Sequence, residues 1–416
     1  MRIAYFVDEF PPFFRGGLGT YATEISPQFI KKGHSLSVFS RNSGNDPTSD
    51  TWDGVDVHRP RLMNFSDIFS MINPDEVRTW DINGQEFFSD TILYNMLSAS
   101  KLVNSLVYKD HQHFDLLVSH DWLAAFAGII SKRNLGIPLV FHFHSTEQGR
   151  NPAGSPTIKD IERMAATISD RIVTVSYAMR DELVSYGYPE KKIRVIHNGV
   201  DEEKYNAARF SERKLQEFRE KIGAGLSPMI FFIGRLTWVK GADTLLLAMA
   251  HIVKEIPDAR LLILGSGEME QMLNQMVHDL HLENNVILHF GIVSEEERLL
   301  YYAAADVCVF PSKYEPFGIV CTEAMSMGKP VVVGARGTSG FREQVLPRGD
   351  GICGYHINPY DPLDIARYVV DILKKPDLAA MMGKNGRSRV KEQFTWDIVS
   401  DKTLRVYQDL VDSTKG

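Results

Sequence analysis

The chain is poor in cysteine, has no long apolar run and carries no surplus of basic residues. Three cysteines occur in 416 residues, Cys308, Cys321 and Cys353; they cannot all pair, and their spacing fits no metal-ligand set. The apolar contexts of Cys308 and Cys321 predict buried free thiols in a reducing compartment. No run of about 18 apolar residues exists to span a bilayer. The N-terminus runs straight into a strand over 3–7 and lacks the layout of a signal peptide, so a cytoplasmic location is expected. Lys and Arg number 46 against 53 Asp and Glu, a net charge of −7, which argues against a nucleic-acid binder relying on phosphate neutralisation. The G-x-G-x-x-G fingerprint with its distal acid is also missing, which argues against a dinucleotide-dependent dehydrogenase.

What remains is an ordinary globular composition, 44% hydrophobic and 24% charged, in a chain long enough for two domains. Two series of strand and helix signals run along it. In the first, strands are predicted over 3–7, 35–40, 116–119, 139–144, 171–176 and 193–197, with helices near 20–32, 122–133 and 158–168. In the second, strands are predicted over 229–234, 260–265, 286–290, 307–310 and 331–333, with helices near 211–221, 241–255, 268–281, 295–304 and from 319 onward. Short apolar strands alternating with helices predict an α/β protein with parallel sheets covered on both faces. Each half reads as a doubly wound sheet, whose ligands bind beyond the carboxyl ends of its strands. The weakest join lies near 198–208. The expected domains are 1–200 and 201–394, with the amphipathic end at 395–416 returning to the first, and facing clefts would leave a deep slot between them. Residues 65–97 carry Phe65, Phe69, Trp80, Phe87, Phe88 and Tyr94 at mixed periodicity. They read either as a helical cover or as a site for a sugar-bearing acceptor.

The chemistry concentrates at strand ends. Glu315 and Glu323 are separated by seven residues, with Phe317 and Gly318 before a small-residue helix that starts near Ile319. Free N–H groups at that helix start, around Gly318, Ile319 and Val320, favour an anion such as a phosphate. Carboxylates beside an anion are useful if they accept hydrogen bonds from hydroxyls, and a molecule with phosphates in the middle and sugars at both ends is a nucleotide-sugar. Arg235 and Lys240 flank another strand-to-helix junction, where a guanidinium and an ammonium suit a diphosphate. Gly16-Gly17-Leu18-Gly19 and Gly265-Ser266-Gly267 follow strands and allow backbone amides to approach an anion, although a bare glycine turn fits them equally well. His120-Asp121-Trp122 ends one strand, and His142 and His144 end the next on one face. A metal site with Asp121, contact with sugar hydroxyls, and ordinary packing all fit these histidines. No D-x-D pair occurs, so no obvious carboxylate pair for a divalent ion on a nucleotide diphosphate is available.

Taken together these motifs resemble the retaining glycosyltransferases of family 4, with the two-domain GT-B fold, and within them the glycogen-synthase-like enzymes. The resemblance runs nearly end to end: Gly16-Gly17-Leu18-Gly19, His120-Asp121-Trp122, His144-Ser145-Thr146-Glu147, Val173-Thr174-Val175-Ser176, Asn198-Gly199-Val200-Asp201, Gly234-Arg235 with Lys240-Gly241, and Glu315-Pro316-Phe317-Gly318 with Glu323. It implies a first domain that holds the acceptor, with His120, Asp121 and Trp122 on that side, and a second that holds the donor. It implies that Arg235 and Lys240 hold the diphosphate and that Glu323 takes the ribose hydroxyls. Glu315 and nearby amides would hold the sugar, Gly17 would offer an amide from the first domain, and His144 would lie beside the anomeric carbon. Gly16, Leu18, Gly265 and Phe317 would complete the donor site. No cofactor and no metal are implied. Phe14 stands where bacterial-type glycogen and starch synthases carry a lysine, which points away from an ADP-glucose enzyme of the starch-synthase type.

The implied reaction is transfer of a hexose, glucose in the first instance, from UDP-glucose, ADP-glucose or another nucleotide-diphosphate hexose to a carbohydrate hydroxyl. The alternatives are a GDP-mannose-dependent mannosyltransferase acting on a small-molecule or lipid acceptor, and an inactive nucleotide-sugar-binding protein. Intact Arg235, Lys240, Glu315 and Glu323 argue against the last.

Overall fold

A computed structural model describes residues 1–12, 16–63, 65, 68 and 71–415. Phe13, Phe14, Arg15 and Phe69, singled out in the sequence, lie outside the described residues. Two compact units are present, one formed by Met1–Asn198 with Trp396–Gly416 and the other by Gly199–Thr395.

In the first unit, strand β1 (Arg2–Phe6) shows why the sheet forms. Ile3, Ala4, Tyr5 and Phe6 are all fully buried, so the strand has no polar face. Its side chains alternate between two cores. Ile3, Tyr5 and Val7 pack with Tyr21, Ala22, Ile25 and Phe29 of the helix Gly17–Lys31. Ala4 and Phe6 pack with Leu102, Leu106, Ala124 and Ala127 on the opposite side. The other strands are β2 (Ser35–Phe39), β3 (Ser49–Trp52), β4 (Val55–His58), β5 (Leu116–His120), β6 (Leu139–Phe143), β7 (Arg171–Thr174) and β8 (Ile193–Val195). Their order is β3-β4-β2-β1-β5-β6-β7-β8, and every pairing is parallel except β3 with β4. The chain order reverses between β1 and β5, which opens a crevice at their carboxyl ends. The helix Trp396–Lys415 belongs to this unit, with Val399, Leu404, Tyr407, Leu410 and Val411 in the β1 core. Its outer edge is tied by Lys32 to Asp397 and Asp401 at 2.7 and 2.8 Å.

The second unit is a six-stranded, all-parallel sheet. Its strands are β9 (Met229–Ile233), β10 (Arg260–Gly265), β11 (Val286–Phe290), β12 (Val307–Phe310), β13 (Val331–Gly334) and β14 (Gly354–Ile357). The order β11-β10-β9-β12-β13-β14 is doubly wound, with its reversal between β9 and β12. Ile230 and Phe232 meet Leu245, Leu246 and Met249 of the helix Ala242–Glu255, and Cys308, Cys321 and Cys353 are buried free thiols. The α/β class and two doubly wound sheets expected from the sequence are therefore present.

Several elements depart from the expectation. The first helix begins at Gly17 rather than near Thr20, so Gly17, Leu18 and Gly19 form its opening turn instead of a loop. The β3–β4 hairpin is missing from the sequence reading because β3, Ser-Asp-Thr-Trp, is mostly exposed and has no apolar alternation. Its Asp53-Gly54 turn, with φ of 46° and 81°, is a primed-turn signature that was available. The later part of the aromatic segment is a helix, Ile82–Ser100, capped by Asp81 and continued as a π-helix over Lys101–Lys109. Tyr94 of that helix is fully buried, and its hydroxyl reaches the carbonyls of Val7 and Phe39 at 2.9 and 2.8 Å. It thus ties the helical cover to the ends of β1 and β2. Among the described residues, no helix is long and apolar enough to cross a membrane. Tyr94→Phe should cost about 1–3 kcal/mol, read as an earlier urea midpoint with an unchanged m-value; an unchanged midpoint would show that the tie carries no stability.

Candidate functional site

In the second unit the loops after β9 and β12 meet at the reversal of strand order. Lys240 closes the first loop, just before the helix Ala242–Glu255, and Glu315 lies in the second. They pair at 2.6 Å, and Ser312 donates a further hydrogen bond to Glu315 at 3.1 Å. Only 9% of the Glu315 side chain and 21% of the Lys240 side chain are exposed. The expectation gave phosphate to Lys240 and sugar hydroxyls to Glu315; here each is the other's partner. Arg235, five residues before Lys240, is exposed and has no side-chain partner among the described residues.

Lys313, which sequence reasoning passed over, holds this geometry. Its backbone N–H donates to Val239 at 2.7 Å. Its ammonium, 4% exposed, pairs with Asp243 at 3.0 Å and lies 4.4 Å from the centre of the Trp238 ring. One side chain therefore fastens the turn that carries Lys240 to the loop that carries Glu315. The sequence signal was weak, since a lysine between Ser312 and Tyr314 reads as a solvated charge.

The helix Ile319–Ser326 begins at Gly318 with no side-chain cap, which leaves its first amides available to an acceptor. Gly318 has φ of +90°, and a Cβ there would come within 2.1 Å of the Phe341 ring. Only glycine lets the chain turn into the helix at this point. Phe317 is buried, and its carbonyl accepts from Gln344 at 2.7 Å. Glu323 stands one turn into the helix, 3% exposed, and accepts a hydrogen bond from the Tyr302 hydroxyl at 2.6 Å. Arg298 is near it: burial opposes the guanidinium's charge, but Glu323 and the surrounding tyrosines hold its pKa above the ordinary value. Gly265 ends β10 with φ of +153°, and a Cβ would strike the Gly234 carbonyl at 1.9 Å. Its absent side chain thus serves close packing of the β9 and β10 loops.

In the first unit the glycine turn and the histidines lie at the ends of β1, β5 and β6. The Gly16 amide donates to the Glu9 carboxylate at 3.1 Å, so an internal anion already meets the start of the helix Gly17–Lys31; Leu18 packs against the β1 core. His120 and His142 are register partners on β5 and β6. His120 Nδ1 lies 3.0 Å from His144 Nε2, and the Tyr407 hydroxyl lies 2.7 Å from His142 Nε2. Asp121, with φ of 51°, turns its carboxylate to accept the His144 backbone N–H at 2.7 Å. Trp122, expected on the acceptor side together with His120, is buried and stacks on Phe88.

Burial sets the protonation here. It drives His120 and His142 well below the ordinary imidazole value and His144 to about 3, so all three rings are neutral. Burial pushes Asp121 up to about 6 against its hydrogen bonds from the His144 and Ser145 backbone. Glu162, which accepts from the Glu147 amide at 2.9 Å, is pushed up by burial to about 8, with opposing pulls from that bond and from Arg150. The folded state therefore holds the Glu162 proton at pH values where the unfolded chain has lost it, and this group's contribution to stability falls as pH rises from the ordinary glutamate range through about 8. Glu162→Gln should gain on the wild type over that window, by roughly 2–4 °C in Tm for each kcal/mol of relieved charge burial. Melting curves from pH 5 to 9 check it, and a constant difference between the two proteins would contradict the raised pKa.

Comparison with known proteins places these features in a family. Residues 215–389 match the family model described as glycosyl transferases group 1, and residues 15–204 match that of glycosyltransferase family 4. An uncharacterized glycosyltransferase of Methanocaldococcus jannaschii is 32% identical over 415 residues, 98% of each chain. A glycogen synthase of Mycobacterium tuberculosis is 28% identical over 419 residues, 98% of this chain and 94% of that one. Among solved structures, sucrose-phosphate synthase from Thermosynechococcus elongatus superposes with a TM-score of 0.80 at 22% identity, over 99% of both chains. With its two doubly wound sheets and these relatives, the chain belongs to the family 4 glycosyltransferases of GT-B fold, in their glycogen-synthase-like branch.

Proposed function

We propose that this glycosyltransferase moves a hexose, glucose in the first instance, from a nucleoside-diphosphate sugar to a carbohydrate hydroxyl with retention of anomeric configuration. The observation that carries the donor reading is the β9–β12 junction. Exposed Arg235, the partly exposed ammonium of Lys240 and the uncapped helix start at Gly318 supply positive potential from neighbouring loops. The glycogen synthase relative supports glucose and an α-glucan or glucoside acceptor.

In this reading Arg235 grips the diphosphate bidentately, and Lys240, with three protons on its ammonium, keeps Glu315 while turning another proton to the phosphate. The amides of Ile319 and Val320 face the same charge. Glu315 and Gly318 hold sugar hydroxyls, and Glu323 takes the ribose hydroxyls beside the Tyr302 hydroxyl. Gly17 is assigned an amide contact with the phosphate, and neutral His144 serves the anomeric carbon. The bond from the anomeric carbon to the phosphate oxygen breaks and an oxocarbenium-like sugar forms. The acceptor hydroxyl attacks the same face and gives its proton to the departing phosphate oxygen. Catalysis is chiefly electrostatic, since the fixed positive charges match the negative charge that builds on the diphosphate.

Two measurements test this. Lys240→Ala should lower kcat by about 10²–10³ with the fold retained by circular dichroism; wild-type turnover in a folded variant would remove Lys240 from its role. Melting curves with UDP, ADP and GDP and with their glucose or mannose conjugates identify the donor. A true donor at about 100 times its Kd should stabilise the second unit by about 2.7 kcal/mol, and no shift with any of them would overturn the nucleotide-sugar reading.

A further inference from the structure

We propose that His120, His142 and His144 form a binding site for one borderline transition-metal ion such as Zn²⁺ or Co²⁺, and that its occupancy takes His144 out of use. The binding stands on the geometry alone; only the inhibition rests on the role proposed for His144.

The three rings are assembled by the sheet. Register pairing sets His120 of β5 beside His142 of β6, with ring centres 4.5 Å apart, and His144 follows two residues later on the same face. One ring nitrogen from each histidine lies within 4.8 Å of one from both others. The donor set is entirely imidazole, which suits zinc, cobalt, nickel or copper rather than magnesium or calcium. His120 is fully buried, and its Nε2 has no hydrogen-bond partner. That nitrogen is free to carry the proton that metal binding at Nδ1 of the same ring would displace.

One pair of nitrogens already stands near a metal's spacing, while the third, within 4.8 Å of the others, would close by up to about 1.4 Å. Zinc–nitrogen bonds of about 2.0–2.1 Å in a tetrahedral site place ligand nitrogens about 3.3–3.4 Å apart. His120 Nδ1 and His144 Nε2, now 3.0 Å apart and sharing a proton, would open by a few tenths of an ångström as that proton moves to another ring nitrogen. The Tyr407 hydroxyl at His142 Nε2 would orient that ring, as outer partners of metal-bound histidines do. Asp121, bonded to the His144 backbone, supplies a nearby carboxylate against the ion's charge. His144 is the half-buried member and offers the way in from solvent.

The test uses the full chain, freed of metal by chelation and titrated with Co²⁺ while visible absorption is recorded. The expected result is one equivalent bound, with the intense band of a tetrahedral site, displaced by Zn²⁺, and hexose transfer lost as the band fills. His142→Gln and His120→Gln should each weaken uptake by at least about tenfold, with the Zn²⁺ inhibition curve shifting in parallel. Absence of saturable uptake by the wild type, or unchanged uptake in both variants, overturns the site. Uptake at the cluster with transfer unaffected upholds the site and removes His144 from the transfer step, which separates this inference from the proposed function.

Discussion

The contact that joins the second unit's two loops at the strand reversal, and on which the proposed donor site rests, is the ion pair between Lys240 and Glu315. Taking two charges largely out of water is costly, and the pair persists because its geometry is closely held. A 2.6 Å contact, the Ser312 hydroxyl and the Lys313 clamp all bear on it. The cost is local to the place where strand order reverses, between β9 and β12, where the flanking helices diverge and a ligand can approach. A lysine already facing a carboxylate is positioned without being neutralised. It retains protons for a second anion, and the carboxylate retains lone pairs for hydroxyls.

The first unit manages its polar groups in a different way. Instead of opposite charges it gathers neutral rings and acids whose ionisation burial opposes. His120, His142 and His144 are kept uncharged, and Asp121 and Glu162 are pushed up toward neutrality. Tyr407, from the last helix, touches His142, and Trp396 packs against Tyr21, which in turn meets His144 edge-on at 4.7 Å. The chain's end is therefore part of the support of the histidine cluster near its beginning. Family membership follows from these two units and from relatives that align over nearly the whole chain.

Much of the fold was legible because the sheets are buried on both faces. Apolar strands such as Ile3-Ala4-Tyr5-Phe6 and Met229-Ile230-Phe231-Phe232 announce themselves without partners. The loop–helix–strand setting of Glu315, Gly318 and Glu323 was legible for a similar reason, since glycine and a small-residue helix are local signals. The exposed strand Ser49–Trp52 was not, because its pairing owes nothing to apolar alternation. Nor was Lys313, whose partners Asp243 and Trp238 lie some seventy positions earlier in the chain.

The sequence by itself determined the class of fold, the alternation of strand and helix, the absence of a long apolar span and the placing of chemically capable residues at strand ends. These follow from periodicity and spacing, which neighbouring residues carry. Only the tertiary structure decided that Lys240 meets Glu315, that Glu323 meets Tyr302, that Gly16 spends its amide on Glu9, and that three histidines share one pocket with Tyr407. Apart from Gly16 and Glu9, those partnerships join residues well separated in the chain, and sheet register and helix packing, not local preference, bring them within reach of one another.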